Sequence, residues 1–338
     1  MIEVKNLVKR YGDRNVVDNL SFTVGKGQIV GFLGPNGAGK STTMNIITGY
    51  ISATEGTVTV NGHDIYDEPE KAKESIGYLP EQPPLYPDML VREYLNFVCD
   101  LKKVRKAEKE KTLSRVMRLT KITDVSERLI KNLSKGYKQR VGMAGAMIGD
   151  PEILILDEPT VGLDPKQILE MRDLIRELSK SHTIFMSSHI MQEVSAVCSE
   201  ILIINEGRLV VSDKTEDITS HVERTHELSL LVKGNKDLIQ SVIGKLEHVE
   251  SCRVLKTSEQ EIHRVEISSS VECDIRESLF YALAEAKCAI LEMNRKEASL
   301  EEAFIHLTGE GTRQFGGKKK KGKKPEDGKE EKEDVRSL

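Results

Sequence analysis

The sequence predicts an α/β fold with a mostly parallel sheet, followed by a second, smaller α+β unit. Strand-like and helix-like segments alternate up to about residue 220, which is the order of parallel strands joined by crossover helices. The segment ILILD at 153–157 is almost continuously apolar, as is typical of a strand buried on both faces. From residue 227 the order becomes β-α-β-β-α-β, which is typical of a ferredoxin-like unit.

The first region is predicted to open with short strands separated by Gly-containing turns. These strands are IEVKNLV, VVDNLSFTV, QIVGFL, VTVNG and IGYLP. Residues 91–145 change to the apolar spacing of helices. After ILILD we expect a helix over Ile168–Leu178, a strand TIFMSS, a helix from Met191 and a hairpin around Glu206-Gly207.

The same patterns divide the chain into three regions. Residues 1–220 are expected to form the larger α/β domain and residues 221–311 a small α+β accessory domain, in which we find no catalytic cluster. Residues 312–338 carry six lysines within 318–324, then acidic residues, and no apolar anchors. A segment of this composition cannot bury enough apolar surface to fold, so a disordered tail is expected.

Composition excludes several classes of function. The chain of 338 residues has a net charge of -4, only 4% aromatic residues and no Trp. A nucleic-acid-binding role is therefore not expected, because such proteins present basic surfaces and stacking aromatics. No run of about 18 apolar residues and no signal-peptide pattern occurs, so we expect a cytoplasmic protein that does not span a membrane by itself.

A phosphate-binding loop is the most specific motif. The pattern G-x-x-x-x-G-K-[ST] is matched by Gly34, Pro35, Asn36, Gly37, Ala38, Gly39, Lys40 and Ser41. Its glycines let backbone N–H groups approach phosphate, Lys40 can reach the β- and γ-phosphates, and the Ser41 hydroxyl can ligate Mg²⁺. A glycine-rich turn with a chance lysine is the alternative, which the strand before and the helix after the loop disfavour.

Two adjacent carboxylates follow the buried strand ILIL. Asp157 lies at the carboxyl end of this strand, the edge at which open α/β sheets bind ligands, and can hold Mg²⁺ there. Glu158 can accept a proton from an attacking water as general base. Solvated turn residues are the alternative interpretation, and the phosphate-binding loop makes it the weaker one.

With these residues the chain resembles the ATP-binding-cassette (ABC) ATPase family over about residues 1–220. Five further segments occur in the order of that family, namely Tyr11, Gln82, Leu133–Tyr137, Gly162-Leu163-Asp164 and His189. Taken singly, a tyrosine, glutamine or histidine of this kind is usually an ordinary packing or surface residue. The resemblance implies an ABC-type P-loop ATPase with a mostly parallel core sheet, an antiparallel β subdomain and a helical subdomain.

The resemblance also assigns roles to these residues. Tyr11 is expected to stack on adenine, Lys40, Ser41 and Thr42 to contact the phosphates, Gln82 to sense Mg²⁺ and the attacking water, and His189 to act as a switch. Ser134 and Gly136 are expected to contact the ATP of a second subunit, and Asp164 lies in the loop that crosses this interface. The segment departs from the common family pattern at Lys135 and Tyr137, and this form resembles that of one-domain exporter ATPases.

The function that follows is ATP hydrolysis with Mg²⁺ in an exporter of the drug-resistance or gliding-motility type. Separate transmembrane permease subunits and a second ATPase subunit, identical or related and packed head to tail, are the expected partners. The chain would then lie on the inner face of the membrane, where its lysine block can attract anionic lipid. An importer ATPase with a regulatory C-terminal domain and a soluble ABC ATPase outside transport are the alternatives.

Overall fold

A computed structural model describes residues 1–218, 225–257, 261–270, 273–296 and 300–309. These residues form three β-sheets with helices around them. The strands are β1 (Ile2–Tyr11), β2 (Arg14–Val24), β3 (Ile29–Leu33), β4 (Glu55–Val60), β5 (His63–Asp64), β6 (Ile76–Leu79), β7 (Ile153–Leu156), β8 (Thr183–Ser188), β9 (Glu200–Asn205), β10 (Arg208–Lys214), β11 (Thr225–Lys233), β12 (Val249–Lys256), β13 (Ile262–Ser270) and β14 (Ala289–Lys296). The α-helices are α1 (Lys40–Ile47), α2 (Pro69–Glu74), α3 (Val91–Leu101), α4 (Lys106–Leu119), α5 (Lys135–Met147), α6 (Pro165–Leu178), α7 (Met191–Ser195), α8 (Lys236–Ile243), α9 (Arg276–Glu285) and α10 (Leu300–Thr308).

The six-stranded sheet has the order β10-β9-β3-β8-β7-β6 and is parallel except for β10. All four residues of β7 are buried, which confirms the interpretation of ILIL as a strand covered on both faces. Leu33 pairs with Ser188 at the ends of β3 and β8, so the carboxyl ends of these strands meet at one edge. The segments that follow β3, β7 and β8 therefore begin side by side.

An antiparallel sheet of order β2-β1-β4-β5 packs against this parallel sheet, as the family resemblance implied. Its apolar side chains share one core with those of the larger sheet. At the centre of this core, the rings of Phe22, Phe32 and Phe185 have centroids 5.4–5.7 Å apart. Aromatic contacts of this kind bury large apolar areas and join the two sheets firmly.

The predicted helical stretch at 91–145 contains α3, α4 and α5. Apolar residues at helical spacing, such as Leu95, Leu113 and Val116, are completely buried in the core on the other side of the parallel sheet. Among the described residues, no helix has the length and apolar character needed to cross a bilayer.

The C-terminal strands form a separate antiparallel sheet of order β12-β13-β11-β14, with α8 and α9 contributing to its core. This order confirms the ferredoxin-like unit predicted from the sequence. The chain then returns to the first region, because Ala303 and Phe304 of α10 are buried in one core with Met191 and Val194 of α7. The predicted disordered tail lies outside the described residues.

Candidate functional site

At two positions, the loop between β3 and α1 has a positive φ, which glycine adopts more easily than other residues. Gly37 has a φ of 81° and Gly39, the N-cap of α1, a φ of 106°. A Cβ atom at Gly39 would lie 2.7 Å from the carbonyl oxygen of Val16. Glycine is therefore required at Gly39 both by its backbone conformation and by the neighbouring strand.

Lys40 is buried at the centre of this loop, with an exposed fraction of 6%. Its Nζ donates hydrogen bonds to the carbonyl oxygens of Gly34 at 2.7 Å and Pro35 at 3.3 Å. The same atom lies 3.5 Å from Oε1 of Glu158. The ammonium thus stands between the phosphate-binding loop and the carboxylate that follows β7.

Asp157 and Glu158 are held by one serine of the neighbouring strand. The backbone N–H of Glu158 donates to Oγ of Ser187 at 2.9 Å, and this hydroxyl donates to Oδ1 of Asp157 at 2.5 Å. Glu158 has a φ of 47°, a left-handed conformation that is uncommon for a residue with a side chain. The link through Ser187 helps to hold this backbone, which turns the Glu158 side chain toward Lys40.

His189 completes the cluster at the end of β8. Its Nδ1 lies 2.9 Å from Oε2 of Glu158, so this carboxylate contacts Lys40 through one oxygen and His189 through the other. Glu158 and Lys40 are almost entirely buried, whereas the His189 side chain is 35% exposed. The histidine therefore has one side open to a ligand.

These three side chains line a cavity of about 340 Å³. The other residues that line it are Val16, Asn36, Gly37, Gly39, Ser41, Thr42, Glu81 and Val161. Six of the residues predicted to bind nucleotide or act on it are thus brought together with Glu158 and His189 in one place. The cavity presents glycine backbone, an ammonium and a helix N-terminus, which together suit a polyphosphate.

Gln82 lies outside that cavity and is exposed. It lines a neighbouring groove of about 750 Å³, together with Ser41 and Asp157. Glu81, which sequence reasoning missed, lines both the cavity and the groove. Its position directly before Gln82 was the one signal for it in the sequence.

The oxygen donors that Mg²⁺ prefers are present at this edge of the sheet. Ser41 and Asp157 border the same groove, and a hydroxyl with a carboxylate is a suitable part of a hard-cation site. The residues present therefore fit the ion. The charge of Asp157 also contributes to the pKa of Tyr78, which burial raises well above its ordinary range.

The segment predicted to contact the ATP of a second subunit lies at the start of α5, away from the cavity. Ser134 is the N-cap of this helix and is exposed. Asp164 is the N-cap of α6, where its carboxylate accepts a hydrogen bond from the N–H of Gln167 at 2.9 Å. Gly136 lies against Gln167, since a Cβ atom at Gly136 would be 2.5 Å from that side chain. The two helix starts therefore pack together.

The two departures from the family pattern have partners within the chain. The hydroxyl of Tyr137 donates to Asp124 at 2.9 Å, which raises the pKa of Tyr137. Nζ of Lys135 lies beside Gly162, where a Cβ atom would be 2.2 Å from it. Both side chains thus pack on their own subunit and leave Ser134 exposed.

Tyr11 ends β1 and pairs with Arg14 at the tip of the hairpin that β1 forms with β2. Its side chain is 52% exposed, with the Lys9 ammonium 5.1 Å from the ring centroid. Val16 of the same hairpin lines the cavity. Tyr11 itself is not among the residues that line the cavity, so its stacking on a base stays a prediction.

The comparisons with known proteins agree with this geometry. The family model for ABC transporters matches residues 17–161. The chain is 32% identical to the linearmycin resistance ATP-binding protein LnrL of Bacillus subtilis (strain 168), over 91% of this chain and 98% of that protein. It is 32% identical to the bacitracin transport ATP-binding protein BcrA of Bacillus licheniformis, over 92% of this chain and 98% of that protein.

A solved structure shows the same fold. It is a dimeric ATP-binding cassette in a post-hydrolysis state with bound ADP and Pi, to which this chain is 25% identical with a TM-score of 0.59. The similarity covers 64% of this chain and 99% of that one.

Proposed function

Because the chain belongs to the ABC transporter family as an ATP-binding subunit, we propose that it drives an exporter whose membrane-spanning permease is a separate chain. Like the members of its family, it binds ATP with Mg²⁺, hydrolyses ATP, forms dimers and works with a transmembrane permease. Export and a separate permease are supported by the two relatives of nearly equal length, one named for linearmycin resistance and the other for bacitracin transport.

The observation that carries the proposed chemistry is the contact of Glu158 with both Lys40 and His189 in one cavity. Glu158 accepts the proton of the water whose oxygen bonds to the γ-phosphorus, while the bond from this phosphorus to the ADP oxygen breaks. Lys40 stabilises the negative charge of the phosphate oxygens. His189 holds the carboxylate and, through its open side, contacts the γ-phosphate.

The metal and its sensor are assigned to the groove beside the cavity. When bound, Mg²⁺ neutralises charge on the β- and γ-phosphates. Ser41 and Asp157 would hold the ion, since both border this groove. Gln82 is proposed to sense the ion and the attacking water from the same groove, and Gly34, Pro35, Ala38 and Thr42 complete the loop around the phosphates.

A second ATPase subunit, identical or related, is proposed to complete each ATP site from across a head-to-tail interface. Ser134 and Gly136 would contact the γ-phosphate bound to the partner, and Asp164 would lie at the interface. The exposed positions of Ser134 and Asp164 outside the cavity support this arrangement. Tyr11 is proposed to stack on the adenine of its own site.

We further propose that residues 1–220 form the ATPase domain, residues 221–311 an accessory domain and residues 312–338 a charged tail. The last helix of the accessory region, α10, packs back on the core of the ATPase domain. The chain would lie at the inner face of the cell membrane, held there by the permease. The attraction of the lysines at 318–324 to anionic lipid stays a prediction that rests on their charge alone.

Co-expression with a candidate permease tests the proposal. The chain and the permease are purified together from detergent-solubilised membranes and reconstituted, and the ATP-driven movement of bacitracin or linearmycin is followed in inside-out vesicles. We expect uptake into these vesicles, which corresponds to export, and its loss with Glu158→Gln. Movement only in right-side-out vesicles would indicate an importer, and recovery of the chain with ribosomes would exclude transport.

A further inference from the structure

A buried carboxylate beyond the cavity joins the two loops that carry Glu158 and His189. It belongs to Glu193 of α7, which is only 4% exposed. Its Oε2 accepts hydrogen bonds from the hydroxyls of Thr160 and Ser188, the latter at 3.1 Å. Burying a carboxylate is costly unless hydrogen bonds compensate it, so two hydroxyl donors at one oxygen point to a specific structural task.

One of these donors fixes the loop of His189. Ser188 directly precedes His189, and its Oγ both donates to Glu193 and accepts the N–H of Ile190 at 3.1 Å. The N–H of Glu193 donates back to the carbonyl oxygen of Ile190 at 3.2 Å. The residues on either side of His189 are thus tied to the first turn of α7.

The other donor fixes the turn of Glu158. Thr160 follows Glu158 by two residues and is 2% exposed. Within this turn the N–H of Val161 donates to the carbonyl oxygen of Glu158 at 3.1 Å. The N–H of Leu163 donates to the carbonyl oxygen of Thr160 at 3.2 Å. The hydroxyl of Thr160 connects this compact turn to the same carboxylate oxygen that holds Ser188.

We propose that Glu193 is a positioning residue for ATP hydrolysis, which sets the contact between Glu158 and His189 by fastening both of their loops to α7. The contact that it sets is the 2.9 Å separation between Nδ1 of His189 and Oε2 of Glu158. A displacement of about 1 Å in such a contact can cost about a hundredfold in rate. The inference rests on the roles of Glu158 and His189 given under the proposed function.

The test compares two substitutions of Glu193 that conserve its size. Glu193→Gln keeps an acceptor oxygen for both hydroxyls, whereas Glu193→Met removes the acceptor. We expect Glu193→Met to lower kcat at least ~10-fold with the KM for ATP changed less than ~2-fold, and Glu193→Gln to keep kcat within ~3-fold of the unmodified protein. The rates are measured as phosphate release well below the Tm of each variant.

Val194→Ala is the matched control for a loss of stability in the same helix. Val194 is fully buried beside Gly31, so its truncation lowers the Tm without removing the acceptor. We expect an unchanged kcat in this control. A kcat of Glu193→Met equal to that of the unmodified protein, or a loss that Val194→Ala reproduces at an equal Tm, would overturn the proposal.

If Glu193→Met does not fold, Thr160→Val and Ser188→Ala replace it, because each removes one donor. Each should lower kcat with little change in KM, and together they should cost less than the product of their single effects, since both act through one carboxylate. Unchanged kcat in both would overturn the positioning role. Glu158→Gln is measured beside these variants. If Glu158→Gln keeps its turnover, the proposed base is contradicted. If Glu158→Gln loses turnover while the Glu193 variants keep theirs, only the positioning role of Glu193 is contradicted.

Discussion

The ammonium of Lys40 lies 3.5 Å from Oε1 of Glu158, and each side chain is more than nine-tenths buried. A buried ion pair is stable only while both charges keep a partner. The γ-phosphate of ATP offers Lys40 a second anion, so a phosphate and the Glu158 carboxylate compete for the same cation. Binding of ATP would thereby release the carboxylate that we propose as the base.

Glu158→Gln removes both this competition and the proposed base. We expect kcat to fall by about 100- to 10,000-fold, the range of general base catalysis, while the affinity for ATP is kept or improved. ATP-bound dimers should accumulate on size-exclusion chromatography. Glu152→Gln is the control. Glu152 is an exposed carboxylate directly before β7, at the opposite end of this strand from Glu158. Turnover near that of the unmodified protein would refute the base assignment.

Gly39→Ala tests the phosphate-binding loop. The new Cβ would lie 2.7 Å from the Val16 carbonyl oxygen in a backbone of positive φ, so the loop must move. We expect at least a ~10-fold loss of affinity for a fluorescent ATP analogue, about 1.4 kcal/mol or more of binding free energy. Gly27→Ala is the control: Gly27 also has positive φ, but a Cβ there meets nothing within 4 Å. Equal affinities in the two variants would contradict the prediction.

Gly136→Ala separates binding from dimer formation. We expect the variant monomer to bind ATP normally, because Gly136 lies outside the cavity, but to lose ATP-driven dimers and at least ~10-fold in kcat. Its Cβ would also collide with Gln167 of its own chain. The double variant Gly136→Ala/Gln167→Ala removes that collision and should stay inactive. Restored activity in the double variant would show that the glycine serves packing within the subunit alone.

Tyr78→Phe tests a pH dependence of stability. Burial, with a smaller contribution from the charge of Asp157, raises the pKa of Tyr78 above its ordinary value near 10. Above about pH 10 the folded chain therefore keeps a proton that the unfolded chain releases, and the free energy of unfolding falls with rising pH. The variant should show a shallower fall in Tm between about pH 9 and pH 11. Parallel curves for the two proteins would contradict this assignment.

Phe304→Ala tests the contact of α10 with α7, the helix that follows His189. Phe304 is 8% exposed and shares a core with Met191 and Val194 of α7. Truncation of a buried phenylalanine costs about 3–5 kcal/mol, and detachment of the short α10 limits this cost. We expect a lower Tm, whereas kcat measured well below that Tm should not change, since Glu193 keeps both of its hydroxyl donors. Ile305→Ala, at a position 42% exposed on the same helix, should change neither.

The sequence was sufficient to predict which segments meet at the cavity. Lys40, Glu158 and His189 each follow a strand of one parallel sheet, and the carboxyl ends of such strands share an edge. The positions of helices and strands in the α/β region could also be predicted, because burial of one face sets the spacing of apolar residues along the chain.

The supporting contacts could not be predicted in this way. Ser187, Thr160 and Glu193 carry no motif, and their hydrogen bonds join positions about 30 residues apart whose pairing depends on strand register. The return of α10 to α7 was equally hidden, because the apolar pattern of a short helix does not say which surface covers it. Such contacts are fixed by tertiary packing.

The packing of α10 on α7 makes residues 225–296 an insertion between two parts of one core. The chain leaves that core after Ile218 and re-enters it at Leu300. Asn205 of β9 also donates a hydrogen bond to the Thr308 carbonyl at 2.9 Å. Truncation at residue 220 would uncover the apolar side chains of Met191 and Val194 and favour aggregation. A splice that replaces the insertion by a linker and keeps α10 would leave the core whole.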